Sequence, residues 1–257
     1  MIIYFAIWIL LSRYLNKLSL KQDTEHNDSL LRRAVKTSAP GMILFAVTIT
    51  FFSFDLLMSL DAHWYSTIFG VYVFAGSFLG FLTFMTLYII SLRKKGILAE
   101  TITSEHFRDL GKLIFAFLIF WGYMAFSQYF LIWYGNIPEE TVWFLHRWDG
   151  NWKIISLILV FGHFVIPFFV LFPMEIKKNI PVMLTISIWI LIMHWIDIYW
   201  LVMPSLHSHG IRFSWMDLTT LIGLGGIFIW RFLRTAFSRP LVPVNDPRLE
   251  SSIKIIS

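Results

Sequence analysis

Six stretches of this chain, at about 42–60, 66–91, 111–134, 152–173, 180–203 and 214–237, are apolar over enough residues to cross a bilayer. A helix rises about 1.5 Å per residue and the hydrocarbon core is about 30 Å thick, so roughly 20 mainly apolar residues suffice. A seventh, shorter apolar run opens the chain at about 1–15. Lipid offers a backbone no hydrogen bonds, so a span of this length must satisfy its own amides as an α-helix. The sequence therefore predicts an all-α, polytopic transmembrane bundle of about seven helices. It forms one integral membrane domain over 1–257, ending in a cytoplasmic tail at 238–257.

Composition agrees, since 57% hydrophobic and 14% charged residues leave too little polar surface for a water-soluble fold. No Lys or Arg precedes the apolar run of residues 1–11 and no small-residue cleavage site follows it, so this run reads as a helix and not a cleaved signal. The chain has no cysteine, which excludes disulfides, thiolate metal sites and c-type haem attachment to it. The net charge of +5 gains meaning only from its placement. All but three of the 21 Lys and Arg residues fall on one set of alternate connections, and only Arg147, Lys153 and Arg212 fall on the other. That asymmetry predicts that the basic side, with the C-terminus, faces the cytoplasm. Basic residues scattered over short loops do not form a nucleic-acid surface.

The polar segment 16–40 reads as a loop with a short surface helix, the next span beginning at Pro40-Gly41. Thr103 or Ser104 is placed to cap the span at 111–134. Trp64, Tyr65, Trp133, Tyr134, Trp143, Trp148 and Trp152 lie near outer span ends, as interfacial anchors would. Gly70, Gly76 and Gly80, and again Gly223, Gly225 and Gly226, suit close helix packing. The tail, with three prolines in SRPLVPVNDPRLESS, is expected to lie along the cytoplasmic face or a partner.

Ionisable groups inside the spans are the candidates for function, because hydrocarbon tolerates them only where they face a bundle interior, a partner or water. They are Asp55, His163, His194 and Asp197, with His194 and Asp197 three residues apart on one helical face. Together they suit a proton relay opening outward, with Ser53, Ser127 and Gln128 as secondary polar bridges. The plainer alternative is helix pairing by Asp55 and packing by His194 and Asp197. Asp61-Ala62-His63 and His207-Ser208-His209, at outer boundaries, are too nonspecific to assign a metal, and His163 with His194 makes a weak case for axial haem ligation. No nucleophile–base pair or metal triad is apparent, so no catalytic residue is assigned. A stand-alone secondary transporter is a separate alternative, although no inverted repeat is visible.

Several stretches carry a resemblance: SLDAHWYSTIFGVYVFAG (59–76), residues 106–148 containing SQYFLIWYGNIPEE, HWIDIYWLVMP (194–204) and RPLVPVNDPRLE (239–250). They resemble the second NrfD-like, or polysulfide-reductase-like, membrane subunit of bacterial alternative complex III, a quinol:cytochrome c oxidoreductase. The resemblance implies a subunit of the respiratory electron-transport chain in the bacterial inner membrane, scaffolding the assembly and conducting protons. It implies no cofactor on this chain and, in partner subunits, haem c and iron–sulfur clusters. The implied neighbours are a sister NrfD-like subunit, an iron–sulfur subunit, haem c subunits and a terminal oxidase. Direct contribution to a quinol site is the alternative. Such subunits have about ten spans, so the family's first helices are expected to lie outside this sequence, through a fragment, a misassigned start or a separate polypeptide. One four-helix bundle, about spans two to five, should be recognisable.

Overall fold

The chain is described by a computed structural model over residues 1–25, 27–98, 101–207, 210–212 and 214–253. Among these residues six helices are long and apolar enough to cross a membrane, covering Asp28–Leu60, Phe69–Lys94, Ser104–Gly135, Trp152–Leu171, Ile180–Leu206 and Trp215–Ala236. The protein is an all-α, multi-pass membrane helix bundle. The opening helix α1 (Ile2–Glu25) is longer than expected but is not one of the six, because Arg13, Asn16 and Lys17 interrupt its apolar run.

The loop expected at 16–40 is almost entirely helical. Helix α2 (Asp28–Leu56) starts where Asn27 accepts the Ser29 amide on its side chain, at 2.9 Å, and Pro40 lies inside α2 instead of opening it. An interior proline removes one hydrogen bond, which a helix with this many remaining bonds tolerates. The described residues divide into two compact units, one of 1–46 with 212–253 and one of 47–211.

In the first unit, Trp8 packs on Phe45 with ring centroids 5.7 Å apart, and a Cβ on Gly41 would lie 3.0 Å from Leu11. The tail folds back on α1: Arg239 donates to the Asn16 side chain, and Gln22 donates to the Asn245 carbonyl at 3.5 Å. Helix α9 (Trp215–Ala236) starts in a capping box of Ser214 and Asp217. It buries none of its side chains within the described chain. Gly223, Gly225 and Gly226 have nothing within 4 Å, so the close packing expected there is not made among the described residues.

The second unit holds the four-helix core, and it is spans three to six that form it, not two to five. Helix α3 (Phe69–Lys94) packs on both α4 (Ser104–Gly135) and α8 (Ile180–Leu206). The remaining member is the span of α6 (Trp152–Ile158), a π-helical segment (Leu159–Val165) and α7 (Ile166–Leu171). Pro167 has no amide hydrogen for the carbonyl four residues back, and the helix widens to π geometry just before it. The second half of α2 meets this core, with Thr50 against Gly70 of α3 and Phe54 packed on the aromatic cluster, whereas Met42, Ile43 and Val47 are exposed apolar surface suited to lipid.

Helix ends are set by local chemistry. Thr103 caps α4 in a capping box with His106, Asn136 closes α4 with φ of 47°, and Asn179 accepts the Val182 amide to start α8. The short helix α5 (Pro138–His146) starts with proline at its first turn. A five-residue helix α10 (Leu249–Ile253) lies in the tail.

Two apolar clusters fill the core. One joins Leu79, Leu82, Ile114, Leu118, Met183 and Ile190 near the basic helix ends. The other joins Trp64, Phe69, Tyr72, Trp121, Trp143 and Leu201 towards the opposite ends. Trp64, Trp143 and Trp152 are buried, with Trp64 stacked on Trp143 at 4.3 Å, so these three are packing residues and not interfacial anchors. Tyr65, Trp133, Tyr134 and Trp148 are exposed as anchors would be.

Candidate functional site

Between the two clusters the helices bring polar side chains together. The Asp197 side chain, 1% exposed, projects from α8 into the core. The Tyr72 hydroxyl donates to one carboxylate oxygen, and Trp121 Nε1–H donates to the other at 3.2 Å. A buried carboxylate without such donors would carry the full penalty of an unsolvated polar group. Tyr72 comes from α3 and Trp121 from α4, so Asp197 ties three helices together.

His194 lies one turn before Asp197 on the same face of α8. The sequence makes room for it with Gly76 and Gly80, where an added Cβ would lie 3.1 and 3.0 Å from the imidazole. Only glycine lets α3 approach this closely. His163 is fully buried in the π-helical segment, its ring centroid 4.0 Å from that of Trp121 and 6.4 Å from that of His194. Both nitrogens of His163 and Nδ1 of His194 lack a protein partner among the described residues. The π geometry also leaves the Gly162 carbonyl free to accept from Trp189 Nε1 at 2.7 Å.

Three of the four relay candidates, His163, His194 and Asp197, thus converge with two residues that sequence reasoning passed over, Tyr72 and Trp121. Asp55 does not join them. Its side chain is exposed on α2, and its carbonyl accepts the Ser59 hydroxyl at 2.7 Å. Ser53 is buried and returns its hydroxyl to the Thr50 carbonyl at 2.7 Å, a local bond and not a bridge. Ser127 is half-buried on α4. Gln128 is buried, with Oε1 unpartnered.

Tyr72 and Trp121 also border a cavity of about 780 Å³ enclosed by α4, α5 and α6. Its walls are mainly aromatic and aliphatic, and its polar lining includes Gln128, Asn136, Thr141, Ser156 and Arg147. Arg147, one of the three basic residues on the less basic side, is 2% exposed. It donates to the carbonyls of Trp143 and Leu201, each at 2.9 Å, and its guanidinium lies 3.3 Å from the Trp143 ring centroid. Burial lowers its pKa to about 9, against an upward pull from Asp61, so it remains a cation at neutral pH. A residue pattern of one arginine amid tryptophans, WFLHRW, was the available signal.

At the outer boundary, Asp61 Oδ1 accepts the His63 amide at 3.2 Å, a turn contact. The His207 carbonyl accepts from Trp152 Nε1, while Ser208 and His209 lie outside the described residues. Among the described residues no group of three His, Asp or Glu converges as a metal site would require.

The chain matches no family model and no curated protein by sequence.

Proposed function

We propose that this chain is a proton-handling and scaffolding membrane subunit of a quinol:cytochrome c oxidoreductase of the alternative complex III kind. In this reading it resides in the bacterial cytoplasmic membrane with its basic helix ends and C-terminus inside. A sister NrfD-like subunit, an iron–sulfur subunit and haem c subunits carry the redox chemistry, and a terminal oxidase accepts the electrons. The observation that supports the reading best is the Asp197 carboxylate, enclosed by an apolar bundle and held by Tyr72 and Trp121 beside two imidazoles.

Each part of the cluster has a distinct chemical capacity. A carboxylate, a phenol and an imidazole each take up and release protons, whereas an indole N–H only donates a hydrogen bond. Trp121 therefore positions Asp197 and His163, and proton exchange runs among Tyr72, Asp197, His194 and His163. A proton arriving at Asp197 displaces the Tyr72 hydrogen bond, and His194, on the next turn of α8, is the nearest imidazole along the helix.

The test is to purify the tagged chain from its native membrane in mild detergent, identify intact subunits by mass spectrometry and record a reduced-minus-oxidised haem spectrum. Haem c and iron–sulfur partners are expected, with quinol-driven proton movement that falls in Asp197→Asn. A stable monomer without redox partners would overturn the proposal in favour of a lone transporter.

A further inference from the structure

The large cavity differs in character from the proton-handling cluster beside it. Its lining carries a single formal charge, Arg147, and no carboxylate. No Asp or Glu oxygen lies within ion-pair distance of that guanidinium among the described residues, its two bonds go to neutral carbonyls, and its Nε–H has no acceptor. A buried cation that bonds only carbonyls and an aromatic face, with Asp61 acting on it from beyond ion-pair distance, has no anion in contact to offset its desolvation. Gln128, also more than nine-tenths buried, lines the same cavity with an unpartnered amide oxygen.

The rim is made of exposed apolar side chains, among them Phe126, Trp133, Leu145 and Val160, on helices that the bilayer surrounds. Ligands of such a site enter from lipid, with an apolar body along the aromatic wall and a polar end at the arginine.

We propose that this cavity binds one anionic glycerophospholipid, its phosphodiester on the Arg147 guanidinium and its acyl chains along the wall of α4. A planar guanidinium matches the paired oxygens of a phosphodiester. A zwitterionic phospholipid fits less well, because its ammonium group finds no carboxylate in the lining. A glycerol head group, by contrast, brings no cation into a lining that has no carboxylate. This assignment is independent of the quinol-oxidation proposal and is read out without turnover.

The test uses the full chain with whatever partners co-purify, depleted of lipid in detergent and offered equimolar phosphatidylglycerol and phosphatidylethanolamine before native mass spectrometry. One phosphatidylglycerol per chain is expected to persist at least about tenfold over phosphatidylethanolamine, equivalent to about 1.4 kcal/mol. Ala125→Trp, which adds bulk to the α4 wall of the cavity, is expected to abolish that adduct. Should Ala125→Trp fail to fold, Val160→Trp fills the cavity from the π-helical segment and is read in the same way. Equal retention of the two lipids, an undiminished adduct in the filled variant, or a quinone in place of phospholipid would overturn the proposal.

Discussion

Trp121 lays its indole on His163, with ring centroids 4.0 Å apart, while its Nε1–H turns towards Asp197. One side chain of α4 thereby fixes both a carboxylate on α8 and an imidazole in the π-helical segment. Its large apolar area packs the bundle at the level where the polar groups meet.

Asp197→Asn keeps the size of the side chain but removes its capacity to carry a proton. Under the proposed function, quinol:cytochrome c turnover in the purified complex is expected to fall about 100-fold, the lower end of what positioned acid–base groups contribute. Asp55→Asn, on the exposed face of α2, is expected to leave turnover within about twofold. Equal losses in both variants would remove the distinction between the two carboxylates.

Tyr72→Phe leaves the Asp197 carboxylate with Trp121 as its remaining donor. A destabilisation of about 1–3 kcal/mol is expected, as for a buried acceptor that loses its partner. Thermal unfolding of the detergent-solubilised chain measures it, and an unchanged midpoint would show that the bond contributes nothing.

The glycines divide into two sets with opposite expectations. A Cβ at position 70 would lie 2.5 Å from Thr50 Cγ2 and 3.0 Å from the Thr50 Cα, so Gly70→Ala forces backbone apart and is expected to destabilise by about 1–3 kcal/mol. Gly223→Ala meets open space in the isolated chain and is expected to stabilise α9 by about 0.4–1 kcal/mol. Melting curves of the two variants side by side would expose any reversal.

Arg147→Lys retains a cation but loses the fork that reaches the carbonyls of Trp143 and Leu201 together. A lysine ammonium cannot reproduce that planar two-point contact, and a loss of about 2 kcal/mol is expected. Limited proteolysis of the segment after α5, whose Arg147 carbonyl also accepts from Ser156, is expected to accelerate with it.

Lys177, between α7 and α8, is buried and donates to the carbonyls of Leu171 and Phe172, closing the end of the Trp152–Leu171 span. Burial, with a smaller contribution from Lys112, holds its pKa below the ordinary 10.5. In the window between the lowered value and 10.5 the unfolded chain binds more protons, so stability attributable to this group rises with pH there. Lys177→Met is expected to flatten that rise when unfolding midpoints are compared between neutral and alkaline pH, and a slope unchanged by the substitution would count against the assignment.

The apolar runs determined the class of fold, because their length matches the bilayer and lipid leaves the backbone no partner outside its own helix. The spacing of His194 and Asp197 likewise placed them on one face, since helical periodicity is local. Thr103 was legible as a cap for the same reason. The partners of Asp197 were not legible. Tyr72 and Trp121 lie 125 and 76 positions away, and among a chain rich in aromatic residues nothing local marks these two. The exclusion of Asp55, the inward turn of Arg147 and the burial of Trp64, Trp143 and Trp152 were also decided by packing. Apolar and aromatic side chains suit both lipid and protein interior, so composition alone does not tell which face of a membrane helix meets its neighbours. On α3 the close approaches at Gly70, Gly76 and Gly80 mark that face, because an added Cβ there would collide with its neighbours.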